Sequence, residues 1–306
     1  GVILAKLLPR GLFSREKIAF FLRANSNLYE SVKSRTIQFS FFDLLDPISI
    51  HIERLNELQP TIIVAPPSLL RMLASAKQVG ALQIAPRKMI SVAEVLEPVD
   101  KKYIEDIFGL RLDIVYQATE GFIAHTCSHG TLHLNEDIMF IEKKFLDTDN
   151  LRFSPVITDF RRTTQPMIRY ELNDILTLSK EACSCGSVMT PIESIEGRSD
   201  DIFRLPSAVS HENVMFFPDF IRRAVMAASD HIEEYRVIQQ EKALIIVQLK
   251  VKQQKELVEQ QVVDKLRELF QSFEVQAPTI SFQSYEEQPK LKKLKRIEYI
   301  CSGGKN

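Results

Sequence analysis

The chain has 306 residues, more than one average domain, so two domains or one large one are expected. A hydrophobic content of 45% with 26% charged residues excludes a disordered chain, and 39 basic against 40 acidic residues leave a net charge of -1 with no general pull toward nucleic acid or anionic lipid. Cys127, Cys183, Cys185 and Cys301 are too few for a disulfide-built scaffold. They suit a reducing compartment, and the expected location is the cytoplasm.

No membrane segment is expected. The longest uncharged apolar stretch, residues 61–70, is about half a span and holds two prolines. The opening GVILAKLLPRGLF carries Lys6 and Pro9 inside its apolar run, unlike a signal peptide. Because the chain begins with Gly1, it reads as a trimmed or partial sequence.

In chain order, residues 15–28 (REKIAFFLRANSNL) read as a helix with an aromatic seam at Phe20 and Phe21, and residues 36–42 as a strand. Residues 50–59 have helical spacing of Ile50, Leu55 and Leu58. A buried-looking strand at 61–65 ends at Pro66 and Pro67, where Ser68 is expected to cap a helix that stops at Gly80. A short strand at 89–92, a helix from Pro98 to its stop at Gly109, and a strand at 113–116 follow. This alternation implies a covered, mainly parallel sheet with its chemistry in loops at the carboxyl ends of the strands. After Gln117 the texture changes to short strands and turns, as in an antiparallel subdomain. A boundary is expected within residues 197–208 (GRSDDIFRLPSA), followed by an α+β unit and the basic stretch PKLKKLKRIEYI.

Three motifs carry candidate chemistry. YQATEG (residues 116–121) follows a predicted strand, and its adjacent hydroxyl and carboxylate could bond a phosphate and hold Mg²⁺; the same pair could cap the next helix. Asn173 and Asp174 could present a carboxylate to both ribose hydroxyls, or simply form a turn. GRSDD sets Arg198 beside two acids, where it could grip ribose or phosphate, or form a surface ion pair of little worth.

Taken together, SVAEVLEP, YQATEG, LHLNED, Asp174, CSCGS and IEGRSDD, in that branch's order, resemble the adenylate-forming superfamily. Within it the chain is most similar to phenylacetate–coenzyme A ligases and coenzyme-F (deazaflavin) adenylating synthetases, from about Phe20 onward. The resemblance implies an α/β fold. Residues 1–199 would be the remainder of a large nucleotide-binding domain, with a mixed sheet, helices and a small antiparallel subdomain; residues 200–306 would be a small α+β lid. It implies that Ala93, Glu94 and Val95 line an adenine pocket, that Tyr116 stacks on adenine, and that Thr119 touches the α-phosphate. Glu120 would ligate Mg²⁺, Asp174 would bind the ribose hydroxyls, Arg198 would bind ribose or phosphate, and Asp200 would be the hinge.

The implied reaction is ATP-dependent, AMP-forming activation of a carboxylic acid, with coenzyme A as a candidate acceptor. Phe41, Phe42, Pro66, Pro67 and Ser68 could wall an apolar acid pocket suited to an aromatic acid. Two departures stand against the pattern. No Ser/Thr/Gly-rich phosphate loop precedes Ala93, so a chain that binds nucleotide or a partner without turnover is an alternative. The usual Gly-Lys pair is also missing: Lys293 is the spacing-favoured lysine, but Lys292 stands where glycine is expected. A further alternative is nucleotidyl transfer to a phosphate-bearing coenzyme. The expected partners are small molecules, with no nucleic acid and no membrane; a homodimer is left open.

Cys127, His129, Cys183 and Cys185 supply four sulfur or nitrogen ligands, the number taken by a closed structural zinc site. His133 is an alternative to His129, and free thiols are the competing reading. Cys301 is a bystander, and His51, His125 and His211 read as core or surface residues, with His125 also able to face substrate.

Overall fold

The computed structural model describes residues 6–7, 15–22, 37–210, 212–241, 243–286 and 295–300. They divide into two compact units: Gly1–Lys143, Val156–Tyr170 and Thr177–Ile195 form the first, and Lys144–Pro155, Glu171–Leu176 and Glu196–Asn306 the second. The second unit begins close to the boundary motif but also draws in two earlier segments. Ile175, Ile202 and Phe217 are buried in one cluster, with Leu146 and Phe220 packed on it. Apolar contact across long sequence separation defines the unit, which a single cut in the chain does not express.

In the first unit β1 (Glu16–Leu22), β2 (Ile37–Asp43), β3 (Ile62–Ala65), β4 (Lys88–Ser91) and β5 (Leu112–Ala118) are parallel in the order β2-β1-β3-β4-β5. The helices α1 (Ile48–Leu58), α2 (Pro67–Gln78) and α3 (Pro98–Phe108) alternate with them. Next come β6 (Gly121–Thr126), β7 (Leu132–Leu134), β8 (Met139–Phe145), β9 (Arg152–Asp159), β10 (Met167–Glu171), β11 (Asp174–Leu178) and β12 (Pro191–Arg198), of which β8 to β12 each carry residues assigned to both units. The order continues β5-β6-β7-β12-β11-β9-β10, with β8 also on β9. The β5–β6, β6–β7 and β7–β12 pairs are antiparallel, so these strands extend the parallel ones into one mixed sheet.

The segment expected to be a helix at 15–28 is a strand over Glu16–Leu22; residues 23–28 lie outside those described. Phe20 meets Phe39 at 5.3 Å and Phe21 stacks on Phe42 at 4.7 Å, pairs between neighbouring strands. A strand covered on both faces reads as a continuous apolar run, and periodicity alone does not separate that from a buried helix. Ser68 is not the cap of α2 either. Pro66 holds that position and Pro67 the first turn, where its fixed φ suits a helix start and its missing N–H costs nothing. Gly109 closes α3 at φ 65, as expected for a left-handed cap.

The second unit holds β13 (Phe203–Pro206) paired with β14 (Asn213–Phe216), then α4 (Pro218–Met226). A sheet of β15 (Ile232–Glu241), β16 (Leu244–Val251), β17 (Thr279–Ser284) and β18 (Ile297–Tyr299) follows in the order β17-β16-β15-β18, with α5 (Lys255–Ser272) between β16 and β17. Val258, Val262, Leu266 and Phe270 recur every four residues along α5 and are all buried in the core with Val237, Val247 and Phe216. Burying each such side chain stabilises the fold by about 1.5–3 kcal/mol. No helix among the described residues is long and apolar enough to cross a membrane.

Candidate functional site

Parallel β4 and β5 lie side by side, with Ser91 opposite Ile114, so the segments leaving their carboxyl ends share one edge of the sheet. Ala93 and Glu94 follow β4. Ala93 has a φ of 69°, a left-handed conformation that costs a non-glycine residue on the order of 1 kcal/mol. It turns the chain so that the Glu94 carboxylate accepts the Ser68 backbone N–H at 3.3 Å, in the first turn of α2. Glu94 therefore supplies the anion that this helix start favours. Val95 is half-buried beside it. Tyr116, near the end of β5, is 9% exposed.

Thr119 and Glu120 form a two-residue hairpin turn, with Ala118 opposite Gly121, rather than a helix cap. A Cβ on Gly121 would stand 2.8 Å from the Met139 methyl, so the position has no room for a side chain unless Met139 moves. The Arg162 guanidinium holds the turn by donating to the Thr119 carbonyl, with Asp159 3.7 Å from its Nε. Thr119 is exposed and Glu120 half-buried. Among the described residues the Glu120 carboxylate makes no hydrogen bond or ion pair, which leaves its oxygens available to a hard cation. Mg²⁺ takes one or two carboxylates plus phosphate oxygens and water, so one open carboxylate on a strand-end turn fits it.

Asp174, Arg198 and Asp200 belong to the second unit, where the chain brings them together. Asp174 opens β11 and Arg198 ends β12, with Arg198 Nε 3.9 Å from Asp174 Oδ1. The Ser199 N–H donates to the Asn173 carbonyl at 2.7 Å, and the Asn173 amide donates to Asp200 Oδ2 at 2.9 Å. Gly197, at φ 133, takes the bend that sets Arg198. Just before it Glu196 is buried, accepting from Arg152 Nε at 2.8 Å, while its carbonyl accepts from Arg222 at 3.0 Å.

Lys295 donates to both carboxylate oxygens of Asp201 at 2.9 Å. Burial nonetheless pushes the Asp201 carboxyl above the usual range, with Lys295 opposing the shift. Lys290, Lys292 and Lys293 lie outside the described residues, as do His211 and Cys301.

The sulfur-rich group differs from the expected set in its histidine. Cys127, His133, Cys183 and Cys185 place their ligand atoms within 4.8 Å of one another. His129 is exposed and pairs instead with the Ser184 hydroxyl at 2.9 Å. A β-hairpin explains the exchange: β7 directs His133 inward, 1% exposed, while His129 sits in the tight turn before it. Hydrogen bonding, first from the Thr131 side chain, lowers the Cys183 thiol to about 6.

The aromatic wall expected for an acid pocket is only partly available. Phe42 is buried, stacked on Phe21 and covered by the Arg54 guanidinium at 4.2 Å, and Pro66 and Pro67 are buried at the start of α2. His51 is a core residue edge-on to Phe21. His125 pairs with Asn135 Oδ1 at 2.7 Å, and burial lowers its pKa. The contacts of Arg162 with Thr119 and of Asn135 with His125 are not read from the sequence. Asn135 lies within LHLNED, but nothing local marks its contact with His125, and the Arg161-Arg162 pair is a common surface pattern.

No family model matches the chain. It is 29% identical over 134 residues to the indoleacetate–lysine synthetase of Pseudomonas savastanoi, covering 42% of this chain and 32% of that protein. It is 23% identical over 212 residues to the phenylacetate–coenzyme A ligase of Thermus thermophilus, covering 64% of this chain and 46% of that protein. The chain thus spans less than half the length of these curated relatives. Among solved structures, a 2-hydroxyisobutyryl-CoA ligase in complex with an acyl-adenylate matches with a TM-score of 0.69 at 18% identity, over 94% of this chain and 66% of that one. The anthranilate CoA ligase with anthranoyl-AMP matches with a TM-score of 0.63 at 12% identity, over 92% and 58%. The chain therefore has the α/β fold of adenylate-forming ligases, and the resemblance read from its motifs is borne out at the level of that superfamily.

Proposed function

We propose that this chain handles the adenylate in an AMP-forming acid ligase. The observation that carries this reading is the match of 94% of the chain to the fold of a CoA ligase in complex with an acyl-adenylate. In the reaction, a substrate carboxylate oxygen attacks the α-phosphorus of ATP and pyrophosphate leaves. A thiol such as that of coenzyme A then attacks the acyl carbon, and AMP leaves.

Each residue has a part that its chemistry suits. The Asp174 carboxylate accepts the two ribose hydroxyls, and Arg198 supports ribose or phosphate from its place beside that carboxylate. Tyr116 offers a ring to adenine, with Ala93, Glu94 and Val95 lining the base largely through backbone. Thr119 donates its hydroxyl to the α-phosphate. Glu120 would hold Mg²⁺, which offsets negative charge on the phosphates as the leaving group departs. Lys293 is the candidate cation for the transferring phosphate, and Asp200 the candidate hinge. A protein in this role does little covalent chemistry; it aligns reactants and supplies charge.

ATP–pyrophosphate exchange with a panel of aromatic and arylacetic acids tests the reading, beside AMP binding by calorimetry. Acid-dependent exchange is expected, and absence of both exchange and AMP binding would overturn it. The likeness to an indoleacetate–lysine synthetase favours a second reading of the acceptor, an amine in place of the thiol. Product analysis with coenzyme A and with lysine separates the two. AMP retained in the product, without a thioester or amide, would point to nucleotidyl transfer.

A further inference from the structure

We propose that Cys127, His133, Cys183 and Cys185 form a structural zinc site whose histidine ligand is His133 through Nε2, and that this ion orders the segment at residues 179–190.

Two distances carry the geometry. A tetrahedral zinc with Zn–S bonds of about 2.3 Å and a Zn–N bond of about 2.0–2.1 Å places two sulfurs about 3.8 Å apart and a sulfur about 3.5 Å from the nitrogen. Cys127 Sγ lies 3.8 Å from Cys183 Sγ, and Cys185 Sγ lies 3.5 Å from His133 Nε2. A disulfide needs a sulfur separation of about 2.05 Å, so 3.8 Å is contact without a covalent bond.

The tautomer fits the same purpose. His133 Nδ1 stands 3.0 Å from the Met189 carbonyl, an acceptor only, so its proton is on Nδ1 and the Nε2 lone pair faces the sulfurs. The Ser187 N–H points at Cys185 Sγ at 3.4 Å, as suits a sulfur carrying negative charge. Gly186, at φ 76, makes the tight bend that brings both cysteines of Cys-Ser-Cys-Gly to one point.

An independent observation concerns what else could hold this segment. None of residues 179–190 is buried, and Val188 is fully exposed at 101%. Its ends are tied by backbone bonds, Ser179 to Pro191 and Leu134 to Thr190. Between them there is no apolar core, and ordering about ten residues costs on the order of 1–2 kcal/mol each in backbone entropy. Four ligands contributed by β7, the turn before it and the segment itself would supply that anchor. The set is filled by protein, so the ion has no open position for substrate. On binding, the zinc takes the thiols as thiolates and their protons pass to solvent.

The purified protein should contain one equivalent of zinc by mass spectrometry. Replacement by cobalt(II) should give the intense visible bands of a tetrahedral thiolate site. His133→Ala and Cys183→Ser should lower zinc affinity at least tenfold in chelator competition, whereas His129→Ala should leave it unchanged. Less than a tenth of an equivalent of zinc, an octahedral cobalt spectrum, or metal loss in His129→Ala but not in His133→Ala would each overturn the proposal. The cobalt spectrum of the unmodified protein decides the matter even if a variant fails to fold. None of these three readouts involves nucleotide, so the outcome is independent of the ligase reading.

Discussion

The Arg162 guanidinium donates a hydrogen bond of 2.5 Å to the backbone carbonyl of Thr119, joining the turn after β9 to the turn between β5 and β6. The turn it holds is the one that presents the Thr119 hydroxyl and the Glu120 carboxylate. A hydrogen bond with a charged partner contributes about 1.5–3 kcal/mol, and about 1.4 kcal/mol is a factor of ten. Arg162→Ala should therefore reduce acid-dependent pyrophosphate exchange by about ten- to a hundredfold. Amide exchange at residues 118–121 should quicken, with the rest of the first unit unchanged. Arg162→Lys should recover only part, because an ammonium lacks the planar fork. Unchanged amide exchange in the turn would remove Arg162 from any positioning role.

Asp174 and Arg198 should separate binding from stability. Their ion pair is 3.9 Å long with Arg198 about half exposed, a geometry worth at most about 1 kcal/mol to the fold. Losing a charge-assisted contact to ribose or phosphate costs more, about 1.5–3 kcal/mol. Asp174→Ala and Arg198→Ala should each weaken AMP binding by about tenfold or more while shifting the urea midpoint little. Equal affinity in titration calorimetry would take these residues out of the nucleotide site.

Asp201 has its carboxyl raised from 3.8, chiefly by burial and against the pull of Lys295. With the folded value above the unfolded one, the native state binds the proton more tightly. Its stabilising effect is full below the unfolded value and is lost as pH rises through the folded value. A carboxyl carbon titration by NMR should place the Asp201 midpoint above 3.8. Lys295→Met should move that midpoint further up, since it removes the charge that favours the carboxylate. A midpoint at or below the ordinary aspartate value would contradict the burial argument.

Glu94 serves the start of α2 as well as its candidate place beside adenine. Glu94→Gln removes the charge near the Ser68 N–H and should cost about 0.3–1 kcal/mol at low salt, less at high salt. Denaturant unfolding at two ionic strengths measures this. A cost that did not shrink with salt would mean that packing, and not the helix dipole, sets the effect.

How much was legible in the sequence differs from feature to feature. The βα alternation between residues 48 and 118 was readable because each helix carries a periodic apolar stripe with proline or glycine at its ends. The strand at Glu16–Leu22 was not, since its aromatic run fits either period until Phe39 and Phe42 are seen alongside it. The cysteines of the sulfur-rich group were visible by type and number. Their histidine was not, because His129 and His133 are both near Cys127 in sequence and only the hairpin decides which one faces the sulfurs.

The sequence alone determined the identities of the reactive groups and their order along the chain: a Thr-Glu turn after a strand, an aspartate after Asn173, an arginine after Gly197, and a Cys-x-Cys. Those follow from local chemistry and spacing. Only the tertiary structure decided that Arg162 holds Thr119, that Asn173 ties Asp200, and that His133 rather than His129 completes the sulfur group. Each of these contacts spans 27 residues or more, and the side that His133 faces is set by the pleat of a strand. Contacts of that kind depend on strand register and burial, which local spacing does not encode.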